Sequence, residues 1–121
     1  MTDEQTALSR RVVACKGWRW MPGMMRLRAT PPSLRDHLLR EGRAPDGGDT
    51  WEYAAWPVIP DLTDAATVGC LLALVREAHG QSTLSPVSRG LRCWCLADYG
   101  TTALEGETEI ELLVLALESA P

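Results

Sequence analysis

The sequence predicts an α+β fold, a small and mostly antiparallel sheet with about four helices packed on it, formed as a single domain over residues 1–121. Apolar residues recur at helical spacing in separate segments, most clearly in "DAATVGCLLALVREAH" (64–79). Short alternating runs such as "LRCWCLA" (91–97) lie among them, and Gly- and Pro-rich punctuation keeps every element short. A chain of this length can bury roughly two thirds of the surface its unfolded form exposes. With 45% hydrophobic and 23% charged residues, it is far from the composition of a disordered chain.

Asp3 is positioned to cap a first helix over about residues 4–15, whose apolar positions are Ala7, Leu8, Val12 and Cys15 and whose stop is Gly17. Pro22-Gly23 then suits a turn, and "MMRLR" (24–28) a strand in which Leu27 faces inward between Arg26 and Arg28. Ser33 and Asp36 begin a partial capping pattern, and Leu34, Leu38 and Leu39 fall at helical spacing before Gly42, predicting a short second helix. "GRAPDGGDT" (42–50) reads as a loop, and Trp51 and Tyr53 alternate around Glu52 in a strand that Pro57 confines to an edge or ends.

The strongest element is the third helix, over 64–79, expected to be the central one. Pro60 disfavours helix at the preceding residue, Asp64 can accept from the first free backbone amides, and Gly80 occupies the place of a left-handed C-terminal cap. Val68, Leu71, Leu72 and Val75 make one stripe with Cys70, Ala73 and Leu74 beside it, so the helix should be covered on more than one side. Gly69 and Ala73 would admit another backbone. "QSTLSPVSRG" (81–90) reads as a loop before the strand 91–97, in which Cys93 and Cys95 share a face expected to be core. Asp98-Tyr99-Gly100 turns the chain, Thr101–Leu104 pairs next, and Thr108 with Glu111 forms a capping box for a last helix. Ile110, Leu113, Val114 and Leu117 form the stripe of that helix. Leu112 and Leu115 fall outside it and need a second cover, from the fold or from a homodimer through this C-terminal helix.

Several classes of function find little support. Ser9-Arg10-Arg11 and Val12-Val13-Ala14-Cys15 resemble export signals but lack the apolar stretch of about 7–15 residues that such signals carry. The longest apolar run, Val68 to Val75, is 8 residues, well short of a membrane span, so a cytoplasmic protein with no membrane partner is expected. Four cysteines, Cys15, Cys70, Cys93 and Cys95, then read as reduced thiols. One Cys-x-Cys within a strand is a poor start for a metal site even with His37 or His79 nearby, and His79 reads as a partner of its helix end. Neither histidine lies in a recognisable catalytic sequence, and the glutamates at 105, 107, 109 and 111 suit the positive end of a helix. Gly47-Gly48 lacks the lysine, strand and helix of a phosphate-binding loop. The reading is non-catalytic, with no catalytic residue, metal or cofactor assigned.

The net charge of −4 conceals a division: residues 1–43 hold nine Arg/Lys against four Asp/Glu, a balance of +5, while residues 44–121 hold three against twelve, a balance of −9. The two parts should attract each other. Within the basic part, "CKGWRWMPGMMRLR" (15–28) interleaves Lys16, Arg19, Arg26 and Arg28 with Trp18 and Trp20, the pattern of a surface that neutralises phosphates and stacks bases. Lys16, Trp18, Arg19, Arg26 and Arg28 are therefore the candidate partner surface. The competing reading is structural: in a chain with no phenylalanine, tryptophans supply aromatic core mass, and one of the Trp18/Trp20 pair packs on the long helix while arginines snorkel.

Three blocks, "GWRWMPGM" (17–24), "PDLTDAATVGCLLALVREAHG" (60–80) and "GETEIELLVLALESAP" (106–121), together resemble a family of small proteins encoded by tailed phages and prophages. The chain departs from that pattern at Ala65, where a proline often follows the capping Asp, and at Ile110, Leu112 and Leu115, where alanines are frequent. The resemblance implies a phage or prophage origin and expression inside a bacterial cell, and it carries no activity or functional residues with it. A protein-interaction module acting in the infected or lysogenic cell is the expected function, with a nucleic-acid-binding accessory protein using residues 16–28 as the alternative.

Overall fold

The computed structural model describes residues 2–29, 38–43, 58–97 and 104–121. Their elements run α1 (Asp3–Val13), β1 (Met25–Ala29), β2 (Leu38–Arg43), β3 (Val58–Pro60), α2 (Ala65–His79), β4 (Ser85–Gly90), β5 (Cys93–Ala97), β6 (Glu105–Gly106) and α3 (Glu109–Glu118). The class is α+β. The strands make two antiparallel sheets, ordered β2-β1-β3 and β4-β5-β6, in place of the one expected, and the described residues hold three helices rather than about four.

The second helix is the main correction. Leu38 and Leu39, which fall at helical spacing, belong to β2, which pairs with β1 from Ala29↔Leu38 to Met25↔Arg43. The register skips Glu41, and Gly42, at φ 90°, takes the left-handed conformation such a bulge uses. The expected loop 81–90 is corrected too, since residues 85–90 form β4. Pro86 is tolerated there because β4 lies at the edge of its sheet, where a missing N–H breaks no ladder. Of the loop expected over 42–50, Gly42 and Arg43 belong to β2 and 44–50 fall outside the described residues, as do the strand at Trp51 and Tyr53, His37, and residues 98–103 of the expected turn and strand; Leu104 is not in a strand, and pairing begins after it at Glu105–Gly106.

Local chemistry sets the helix ends. Thr2, not Asp3, caps α1: its hydroxyl accepts from Gln5 N (3.1 Å) while Gln5 Oε1 accepts from Thr2 N (2.9 Å). α1 buries Leu8, Ser9 and Val12, and stops at Ala14 before Gly17 is reached. α2 has the predicted caps. Asp64 accepts from Thr67 N (3.1 Å); at the other end Gly80, at φ 65°, donates to Glu77 O (3.1 Å) and Gln81 to Arg76 O (3.0 Å), the paired bonds of a Schellman motif. Its buried face is Thr67, Leu71, Leu74 and Val75, rotated from the expected stripe, so Val68 and Leu72 are only half-buried. Gly69 is exposed and no backbone approaches it.

The expectation that α2 is central is corrected by the contacts of α3, which meets α1, α2, β4, β5 and β6. α3 buries Leu112, Leu113, Val114, Ala116 and Leu117 around most of its circumference. Leu112 is thus covered from within the fold and requires no second subunit, and Leu115 is half-buried. Leu112, Leu113, Val114, Ala116 and Leu117 join Leu8, Val12, Trp20, Met24, Leu71, Leu74, Val75, Leu84 and Leu96 in one core. On β5 the core-facing residues are Trp94 and Leu96, the reverse of the expected arrangement, and Cys93 and Cys95 lie half-buried on the other face. No helix among the described residues is long and apolar enough to cross a membrane.

Candidate functional site in the basic tryptophan segment

The segment joining α1 to β1 is shaped by two turns. Cys15 N donates to Val12 O and Trp18 N to Cys15 O, each at 3.1 Å, which folds the chain back past the helix end. Met24 N donates to Met21 O (3.2 Å) across Pro22-Gly23, with Gly23 at φ 92°, the signature of a type II turn. Between the turns, Trp18 and Trp20 meet edge to face, ring centroids 5.3 Å apart and planes at 78°, a favourable aromatic geometry. Trp20 is the core member of the pair, 7% exposed, and Trp18 packs half-buried against it.

The candidate cations have separate fates. Lys16 and Arg19 are exposed, but Arg19 donates to Glu77 Oε1 (2.6 Å), the bond that raises its own pKa and lowers that of Glu77. Arg26 is a correction to the expected surface. It is 5% exposed in the middle strand of its sheet, and its Nε donates to Gly42 O (2.9 Å). Leu27 faces the other way and is buried as expected, while Arg28 is half-buried. The structure therefore brings Lys16, Trp18 and Arg19 to the surface near the end of α2 and leaves Arg26 beneath it. A base could stack on no more than the outer part of Trp18.

A polar cluster that local sequence patterns do not reveal lies at the N-terminus of α2. Arg43 Nη1 and Nη2 donate to the two Asp64 oxygens (2.8 and 2.9 Å), and Arg43 Nη1 also reaches Gly23 O (2.8 Å). Asp64 accepts in turn from Thr67 Oγ1 (2.8 Å), and the fully buried Thr67 hydroxyl accepts from Met25 N (2.8 Å). The Arg43 guanidinium, helped by the Thr67 donors, holds the Asp64 carboxyl far below the usual carboxylate range. The bonds from Arg43 and from Met25 N run between separate segments, so the cluster ties β1, β2 and α2 together. Of its members only the cap Asp64 is legible in the sequence, because Arg43 arrives through strand pairing rather than local spacing.

Cys15, Cys70 and His79 each contact a backbone carbonyl of the fold. Burial raises the Cys15 and Cys70 thiols, keeping them protonated near neutral pH. His79 Nε2 lies 2.7 Å from Ala116 O; since a carbonyl only accepts, that nitrogen carries the hydrogen and links α2 to α3. Among the described residues no three His, Cys, Asp or Glu side chains are grouped so as to hold a metal ion. Compared with known proteins, the chain matches no family model, no curated protein and no solved structure.

Proposed function

We propose that this chain is a phage-related, non-catalytic protein-interaction module acting in the infected or lysogenic bacterial cell. The observation that carries the choice over nucleic-acid binding is the use of the basic segment inside the fold. Trp20 is in the core, Arg26 is buried under strand pairing, and Arg19 is paired with Glu77. A phosphate-binding surface needs several cations free to meet phosphates on one face, and its affinity rises with their number. The balance of −9 over residues 44–121 opposes a polyanion further. The origin and the cellular setting rest on the three sequence blocks that resemble phage and prophage proteins.

The test is a titration of the protein with labelled single- and double-stranded oligonucleotides at near-physiological salt, read by anisotropy and by tryptophan fluorescence. No saturable signal is expected. A saturable titration that weakens steeply with salt, and whose salt dependence Lys16→Ala or Arg19→Ala makes shallower by about one phosphate each, would replace the protein-contact reading with the nucleic-acid one. Arg26→Ala is unsuitable for this purpose because its side chain is buried.

A further inference from the structure

Two surface features remain without a role in the fold. The first is the β4–β5 hairpin tip. Leu91 there is 96% exposed, the one large hydrophobic side chain so exposed among the described residues. It stands between Arg89 and Arg92, both exposed and neither with an ion-pair partner among the described residues. Residues 44–121 contain three basic residues, Arg76, Arg89 and Arg92, so two of the three gather beside this leucine. Arg92 also holds φ 54°, a left-handed conformation that glycine or asparagine adopts more readily.

The second is a groove of about 460 Å³ between the N-terminal parts of α2 and α3. Leu62, Val68, Leu72 and Ile110 give it apolar walls beside Thr63, Gly69 keeps it open, and Glu109 also lines it. Val68, Leu72 and Ile110 are half-buried, and an added Cβ at Gly69 would meet nothing within 4 Å. Glu105 and Glu107, both exposed, lie on the chain just before Glu109 and give this end of the molecule a negative charge. The groove thus offers apolar walls with a carboxylate among them. The tip offers an apolar side chain with a guanidinium on either side.

From this complementarity of charge and polarity we infer that the hairpin tip of one copy docks into the α2–α3 groove of a second copy, with Leu91 entering between Val68, Leu72 and Ile110 and the arginines meeting Glu109 and its neighbouring glutamates. An apolar anchor in a pocket, ringed by charges of opposite sign, is the arrangement that concentrates binding energy at interfaces. One tip in one groove is a heterologous contact, which closes when two copies exchange tips and otherwise propagates. This rests on the protein-contact reading and deepens it by naming one partner.

The experiment is sedimentation equilibrium of the full chain from micromolar to millimolar concentration, on wild type, Leu91→Ser and Gly69→Leu. Both positions are exposed, so neither substitution threatens the fold, and unchanged circular dichroism verifies this. Wild type should show an average mass that rises with concentration. Leu91→Ser should raise the dissociation constant by about tenfold or more, as expected for removing one buried leucine side chain. Gly69→Leu, which fills the groove, should do the same. A mixture of the two variants retains one intact tip and one intact groove, and should form a complex that neither variant forms alone. A wild type that stays monomeric throughout, variants that associate as wild type does, or a mixture that fails to associate would each overturn the inference. The oligonucleotide titration tests the protein-contact reading separately, so failure here removes only the second copy as partner.

Discussion

At the scale of single residues, glycine shows how closely the fold is specified. Gly106 ends β6 directly against the first turn of α3, where an added Cβ would lie 2.7 Å from Leu112 N and 3.0 Å from Leu112 Cα. Those atoms belong to a capped helix backbone, which cannot yield as a flexible side chain would. Gly106→Ala should therefore cost about 1–3 kcal/mol, the range for forcing an extra methyl into a packed site. Gly69 is the opposite case: an exposed position inside α2 with open space around it, where Gly69→Ala should gain about 0.5–1 kcal/mol from helix propensity. Urea denaturation of both variants checks the pair, and equal effects of the same sign would show that local contacts do not decide them.

At the scale of elements, what is legible in the sequence is whatever chemistry sits within a few residues. Asp64 and Gly80 bound α2 as predicted, and Pro22-Gly23 makes its turn, because a cap or a turn is closed by neighbours along the chain. β2 escapes such a reading because Leu38 and Leu39 are compatible with either period, and the partner that decides, β1, is supplied by pairing across the intervening chain. β4 escapes it because Pro86, Ser88 and Gly90 suit a loop everywhere except at a sheet edge. The same limit applies to the candidate site. Arg26 has the sequence surroundings of a surface cation, and only its place in a middle strand buries it.

The cluster at the start of α2 makes stability depend on pH. Asp64 is depressed in the folded state by Arg43 and Thr67, so its contribution to stability is fully present above the unfolded aspartate pKa of about 4 and is lost as pH falls through the folded value. Stability should decline on acidification below about pH 4, and Asp64→Asn should flatten that decline, since asparagine still caps but does not titrate. Asp64→Ala, which removes the cap as well, should cost about 0.5–2 kcal/mol at neutral pH. Thermal melts of the three proteins between acid and neutral pH measure this. An acid limb as steep in Asp64→Asn as in wild type would mean that other carboxylates dominate.

At the scale of the whole molecule, the division of charge becomes a way of joining parts. The ion pairs among the described residues include Arg11–Glu118 at 2.5 Å, Arg19–Glu77 at 2.6 Å and Arg43–Asp64 at 2.8 Å, and each of these takes its cation from residues 1–43 and its anion from residues 44–121. They tie α1 to the end of α3, the tryptophan segment to α2, and β2 to the start of α2. Location separates them energetically. Arg11–Glu118 and Arg19–Glu77 have both partners substantially exposed, where salt screens the attraction and long side chains lose entropy on pairing. Asp64 is only 13% exposed and is held by Thr67 as well as by two guanidinium bonds, so less of its interaction is open to screening. Double-mutant cycles at low salt should give a coupling of about 0.2–1 kcal/mol for Arg11 with Glu118, falling toward zero near 1 M salt, where the screening length is about 3 Å. Arg19 with Glu77 should follow it, while Arg43 with Asp64 should keep most of its coupling. If all three couplings vanish together, the attraction between the basic and acidic parts is a surface effect alone, and the α2 cluster draws no extra strength from its shelter.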